Sequence, residues 1–259
     1  MLKSARKTLE INRGKPTVAI GERINPTGRK QVLEALGAGN FDLIRQDAIQ
    51  QVDAGAAVLD VNAGVPGADE VSLLPRVMEE VMSVVDVPLC IDTANPKALE
   101  AALRLYPGKA LINSTNGEEK KLETVLPLAK QFGAAAIGLC MDDSGIPPTP
   151  EERVAAAEKI ICRASKYGIP MADIIIDPLA MTMGSDHGHA NSNIRWHSAT
   201  SGLQPHMHTR GHNSHPPRVS SPAVEQVVDA DPASASFYPG GLAPKRPSRG
   251  FDQSMTDYV

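Results

Sequence analysis

Six short apolar runs in this chain end on carboxylates, amides or hydroxyls. The first runs into Gly21-Glu22-Arg23-Ile24-Asn25, the second into Asp60-Val61-Asn62-Ala63-Gly64 and the third into Asp92-Thr93. The fourth is followed by Asn113-Ser114-Thr115-Asn116-Gly117, the fifth by Met141-Asp142-Asp143 and the sixth by Asp177-Pro178. A carboxylate accepts two parallel hydrogen bonds from an amidine-like edge, and an asparagine beside it both donates and accepts. Such a set suits recognition of a neutral, flat heterocycle rich in N–H donors. Taken singly, each of these residues also reads as the cap or turn former of the next helix, because Asp, Asn and Ser favour both positions. Recurrence at six equivalent places is what favours a shared site. The same region carries no glycine-rich phosphate loop and no HxxxH or paired-histidine spacing, so neither a nucleoside triphosphate nor a zinc ion is indicated there.

The elements that would position these residues repeat along the chain. Thr17–Gly21, Ala57–Val61, Val87–Ile91, Lys109–Ile112, Ala135–Leu139 and Asp173–Ile176 are short and nearly uniformly apolar, as strands covered on both faces must be. Segments of helical period lie between them. Phe41, Ile44, Ala48 and Val52 step by three or four, as do Leu122, Val125, Ala129 and Phe132, each set forming one apolar stripe. Thr149-Pro150-Glu151-Glu152 reads as a capping box with proline at the first helical position. Pro127 predicts a kink or break in the helix that contains it. Alternating βα units imply a parallel sheet, whose ligands lie at the carboxyl ends of the strands. The polar residues above fall on that rim.

Composition narrows the class. A chain of 259 residues is long enough for one large α/β domain. A net charge of −4 gives no electrostatic reason to expect nucleic acid, so a small molecule or a protein is the expected partner. Cys90, Cys140 and Cys162 lack CxxC spacing and read as buried thiols in a reducing compartment. With no signal-like start and no apolar run of about 18 residues, the expected location is cytoplasmic, away from membranes.

The βα pattern stops near Gly184. Residues 184–259 hold all seven histidines, the single tryptophan Trp196 and eight of the 21 prolines, a composition poor in aliphatic residues that predicts loose packing or disorder. Only Ala223 to Val228 resembles a short helix. The expected organisation is therefore a barrel domain over 1–183 and an atypical tail over 184–259. So abrupt a change directly after a well-formed sixth strand is the mark of a shifted reading frame. A divergent tail and a histidine-rich metal-binding extension, built on His187/His189 and His206/His208, are the other readings; a loose host offers little to orient metal-binding rings. Without two further parallel strands a barrel cannot close, which would leave the first and sixth strands with unpaired edges.

The rim motifs also carry a family resemblance. "IGERINPTG" (Ile20–Gly28), "LDVNAG" (Leu59–Gly64), "PLCIDT" (Pro88–Thr93), "INSTNGE" (Ile112–Glu118) and "IIDPL" (Ile175–Leu179) together resemble, in order and spacing, the methyltetrahydrofolate:corrinoid methyltransferases and the pterin-binding domain of cobalamin-dependent methionine synthase. The resemblance covers roughly residues 1–183. It implies a TIM (β/α)8 barrel of the pterin-binding type, here with six recognisable units. It also implies methyltetrahydrofolate as methyl donor and a corrinoid, carried by a partner protein, as acceptor; no metal is bound by the barrel itself, and a homodimer is compatible with it. By the same resemblance Asp92, Asn113 and Asp177 match positions that hold the pterin ring, and Asn62 matches a pocket-lining amide. Glu22, Asn25, Asp60, Asn116 and Asp142 are further rim candidates. In that family an asparagine in an "SN" pair after strand seven completes the hydrogen-bond network at N5, and the sequence departs there, reading Gly211-His212-Asn213-Ser214-His215-Pro216-Pro217. No catalytic residue is therefore assigned. Dihydropteroate synthase, the alternative within the superfamily, would show "TPDSF"-like and "ESTRPG" loops where this chain has Pro26-Thr27-Gly28-Arg29 and Asn62-Ala63-Gly64-Val65-Pro66. The alternative of another class is an inactive fragment or a non-catalytic pterin-binding remnant.

Overall fold

The computed structural model describes residues 1–12 and 15–179, together with the backbone of 208–210 and 224–229. Six parallel strands form its centre: β3 (Val18–Ile24), β4 (Val58–Asn62), β5 (Leu89–Asp92), β6 (Leu111–Asn116), β7 (Ala135–Leu139) and β8 (Ile174–Asp177). They are hydrogen-bonded in chain order and curl into a half-barrel. The helices α1 (Lys30–Gly37), α2 (Asp42–Asp53), α3 (Glu70–Val84), α4 (Pro96–Leu105), α5 (Glu119–Phe132) and α6 (Pro150–Lys166) connect them. All six expected strands form, each within three residues of its expected start and four of its expected end. None of the helices among the described residues is long and apolar enough to cross a membrane.

Period-two alternation divides the core. Leu59, Val61, Leu89, Ile91, Ile112, Ala136, Ile174 and Ile176 face outward and bury against the helices, including Ile44, Leu74, Val77, Leu122, Leu126 and Ile160. Val18, Ile20, Val58, Cys90, Leu111, Ala135, Ile137 and Ile175 form a second cluster on the inner face. Helix α5 continues through Pro127, because Leu122, Val125, Leu126 and Ala129 bury on both sides of it. Their burial, roughly 1.5–3 kcal/mol for each large side chain, outweighs the ~3 kcal/mol helix penalty of one proline. The expected break does not occur, and Pro127 lies inside one continuous helix. The capping box of α6 forms as expected, with the Glu152 amide donating to Thr149 Oγ1 at 3.3 Å and the Thr149 amide to Glu152 Oε2 at 3.2 Å.

The inner cluster is closed from below by a hairpin the sequence did not announce, β1 (Leu2–Lys3) with β2 (Thr8–Leu9). Leu2 is buried among the inner-face residues, and the Lys3 backbone bridges that of Lys109. Tyr106 fastens this plug: its hydroxyl donates to the Lys3 carbonyl at 2.9 Å and accepts from the Leu89 amide at 3.1 Å. Burial, opposed by that amide bond, pushes the phenol up to about 12. A group raised in the folded state contributes stability that is complete below its unfolded value of 10 and lost as the pH rises towards 12. Tyr106→Phe is expected to cost about 1–3 kcal/mol of unfolding free energy and to remove the latest tyrosine ionisation from a spectrophotometric titration. Denaturation of both proteins at neutral pH checks the first expectation; an unchanged late titration would contradict the second.

Three expectations are corrected. Val224–Asp229 is a strand, β10, rather than a short helix. Val224, Val227 and Val228 are β-branched, and six residues are too few to nucleate an isolated helix. β10 pairs antiparallel with β3, so the edge of the first strand is covered. Beyond it lies the antiparallel β9 (His208–Arg210), which also approaches β8. Cys90 and Cys140 are buried as expected, but Cys162 is exposed, standing away from the α6 stripe of Ala156, Ala157, Ile160 and Ala164. The expected looseness of the tail falls on 180–207, 211–223 and 230–259, outside the described residues.

Candidate functional site

Continuing the inner-face alternation by two residues carries each strand from apolar floor to polar rim: Ile20 to Glu22, Val58 to Asp60 and Asn62, Cys90 to Asp92, Leu111 to Asn113, and Ile175 to Asp177. The register sets Asn62, Asp92 and Asn113 side by side on adjacent strands. Asn62 donates from Nδ2 to Asp92 Oδ2 at 3.0 Å, and Asn113 donates from Nδ2 to Asp60 Oδ1 at the same distance. Two amides thereby orient two carboxylates at the mouth. The carboxylate of Asp60 is buried and that of Asp92 half-buried, where each hydrogen bond is stronger than in water.

Asp177 stands on the far strand and is fully buried. Its Oδ1 accepts from the Leu179 amide at 2.7 Å, and its backbone carbonyl accepts from the Cys140 amide at 2.8 Å. Leu179 has φ of 55°, the left-handed region that a leucine enters at a cost of roughly 1–2 kcal/mol. The chain therefore turns sharply just after Asp177, held by that carboxylate.

Other rim candidates are engaged in turns. Asn25 accepts from the Thr27 amide at 2.9 Å. Asn116 accepts from the Glu118 amide at 3.0 Å and donates to its carboxylate at 2.8 Å. Asp142 accepts from the Ser144 hydroxyl and amide, which hold its carboxyl below the ordinary range in an exposed turn. For these three the local capping role accounts for the residue type. Glu22 is half-buried at the rim end of β3.

Several residues that support the rim escaped the sequence reading. Asp47 on α2 is buried and takes Arg29 Nη1 at 2.6 Å and Arg23 Nε at 3.5 Å. Gln51, one turn on, accepts from the Arg23 amide at 2.7 Å. A Cβ on Gly21 would stand 2.6 Å from that Gln51 oxygen, which is why the strand needs glycine there. Gly21→Ala is expected to displace Gln51 and cost about 1–3 kcal/mol in stability, checked by chemical denaturation; a cost below ~0.5 kcal/mol would show that Gln51 moves freely. On the far side Arg153 of α6 is buried and donates to the carbonyls of Pro147, Pro178 and Leu179. The available signal was a polar residue within an apolar stripe, Asp47 and Gln51 among Ile44 and Ala48, and Arg153 beside Ala156, Ala157 and Ile160.

Residues 21–201 match the family described as pterin binding enzyme. A methylcorrinoid:tetrahydrofolate methyltransferase of Eubacterium limosum is 33% identical over 175 residues, covering 66% of this chain and 63% of that protein. A methionine synthase of Mycobacterium leprae is 30% identical over 178 residues, covering 66% of this chain and 15% of the synthase. The matched region thus spans less than two thirds of either relative. Among solved structures, a Yersinia pestis dihydropteroate synthase superposes with a TM-score of 0.58 at 19% identity, covering 83% of this chain and 80% of that one, a likeness of fold. The family match, which takes in the rim end of β3, the other five strands of the half-barrel and the whole polar rim, settles the assignment: the chain belongs to the pterin-binding enzymes.

Proposed function

We propose that this chain is the pterin-binding barrel of an enzyme that moves the N5-methyl group between methyltetrahydrofolate and a corrinoid carried by a partner protein. The observation that carries the reading is the amide-oriented carboxylate pair at the rim, Asn62 with Asp92 and Asn113 with Asp60, facing the same mouth as Asp177. A pterin presents a ring amide and an exocyclic amine along one edge. Asp177 accepts from that edge, while Asp92 and Asn113 hold the remaining ring nitrogens and turn N5 outward. The apolar floor of Val58, Cys90, Leu111 and Ile137 limits how deep the ring descends. The names of the two relatives above support this direction of chemistry, and the loops after β3 and β4 lack the sequences expected of a dihydropteroate synthase.

The donor nitrogen is a tertiary amine and a poor leaving group, so transfer requires N5 to be protonated or strongly hydrogen-bonded as its lone pair develops. A corrinoid supplies the nucleophilic metal when its carrier docks on the rim. This chain's own residues bind and orient the ring. The asparagine that the resemblance implies for N5 would fall at 211–217, outside the described residues.

Titration calorimetry tests the reading. N5-methyltetrahydrofolate is expected to bind, and 4-aminobenzoylglutamate, which lacks the pterin, is not. Equal heats for the two would count against a pterin site. Formation of dihydropteroate from a pterin pyrophosphate and 4-aminobenzoate would transfer the assignment to the synthase alternative.

A further inference from the structure

Arg153 is among the largest fully buried side chains, at 1% exposure, on a helix face otherwise made of proline, alanine and isoleucine. Arginine is almost never fully buried unless it is paired. Its Nε donates to the Pro147 carbonyl at 2.9 Å, and its Nη1 to those of Pro178 and Leu179 at 3.0 and 3.3 Å. The guanidinium thus ties the loop entering α6 to the turn leaving β8. That turn is the one in which Leu179 adopts its left-handed backbone and donates its amide to Asp177.

We propose that Arg153 is the positioning residue of the pterin site, holding Asp177 ionised and in place from behind the rim. The proposal rests on the reading of Asp177 as acceptor for the ring edge. The ring amide and amine are donors, so they need a charged carboxylate; a protonated one offers a competing donor. A carboxylate removed from water keeps its charge only beside a cation or several donors. Among the described residues, Arg153 from α6 and Cys140 from the end of β7 interact electrostatically with Asp177. Burial, reinforced by Asp177, pushes the Cys140 thiol far above its ordinary range, so it is neutral and contributes no positive charge. Burial likewise pulls the Arg153 guanidinium down, opposed by Cys140 and Asp177; an arginine side chain stays protonated in proteins.

Two substitutions separate charge from bracing. R153Q keeps one amide donor for a loop carbonyl and loses the charge together with the fork. R153K keeps the charge and loses the fork that bridges three carbonyls. The full chain and each variant are titrated with N5-methyltetrahydrofolate between about pH 6 and about pH 8, within the range where an unperturbed aspartate stays ionised. Wild type is expected to bind with constant affinity. R153Q should bind at least about tenfold more weakly at the acid end than at the alkaline end, because its Asp177 protonates as the pH falls. R153K should be weaker throughout with a flat profile. An R153Q profile parallel to wild type, whatever its level, overturns the proposal and leaves the pterin reading standing; absence of wild-type binding overturns both. Should R153Q fail to fold, R153Q/D177N, with both charges gone, is expected to fold. Failure of that double variant would place the fault in bracing and overturn the proposal.

Discussion

Replacing residues 180–259 with the corresponding segment of the Eubacterium limosum relative is expected to raise the rate of methyl transfer from N5-methyltetrahydrofolate to reduced free cobalamin by about ten-thousandfold. Two effects multiply. The first is activation of N5: the asparagine that the resemblance implies after a seventh parallel strand has no counterpart at Gly211-His212-Asn213-Ser214-His215, and one preorganised transition-state hydrogen bond is worth on the order of a hundredfold. The second is position. The six parallel strands form a half-barrel, and the strands that extend it on the β3 side, β10 and β9, are an antiparallel pair where a closed barrel has further parallel strands. Misplacement of the reacting atoms by about 1 Å costs roughly another hundredfold. Cobalt absorbance follows the reaction directly. Equal rates for the native chain and the chimera would show that the native tail supplies both an activating group and a complete rim. Sequencing the encoding DNA through codons 178–190 bears on the tail independently, since a one-base shift that opens a strand with an "SN" pair would establish its origin.

Asn113→Ala is expected to weaken N5-methyltetrahydrofolate binding by about 1–3 kcal/mol, and Asp177→Ala by a similar amount, the usual cost of leaving a buried polar partner unsatisfied. The two losses have different origins. Asp177→Ala removes an acceptor for the ring. Asn113→Ala also takes away the 3.0 Å hydrogen bond that orients the buried Asp60. Asn113→Asp is the sharper test, since it sets a second carboxylate at that distance from Asp60. Two like charges so close cannot both ionise readily, so the pair holds a proton to higher pH in the folded state than in the unfolded one. With the folded value raised, the variant keeps its stability in acid and loses it as the pH rises through that value. Its denaturation midpoint should therefore fall between mildly acidic and neutral pH while the native midpoint does not. A variant midpoint that tracks the native one across this range would mean that the two side chains separate freely, and with that the rim would lose its preorganisation.

The six parallel strands and their helices were legible in the sequence because period two and period 3.6 are written by nearest neighbours on one element. Leu59 and Val61 alternate with Asp60 whatever the rest of the chain does, and Thr149 with Glu152 caps α6 using atoms three residues apart. The rim was legible for the same reason: position at the end of an apolar run is a one-dimensional property. Which rim residues meet was decided by tertiary structure. The pairing of Asn62 with Asp92 depends on the register between β4 and β5, 30 residues apart, and that of Asn113 with Asp60 on a span of 53. Asn25, Asn116 and Asp142 have the same chemistry at the same kind of place, yet they turn back to their own loops. Three-dimensional closure also decided what the floor rests on, by bringing Leu2 beneath Leu111 and Tyr106 across to Lys3, 103 residues away. Pro127 and Ala223–Val228 show the limit of local reasoning, since packing kept one helix that propensity would interrupt, and pairing with β3 made a strand where a short helix was expected. By itself the sequence determined the repeat, the family and the chemical character of the mouth. Only the fold decided which carboxylates are held by amides, and that a buried arginine stands behind Asp177, because burial and long-range contact are properties of the packed chain.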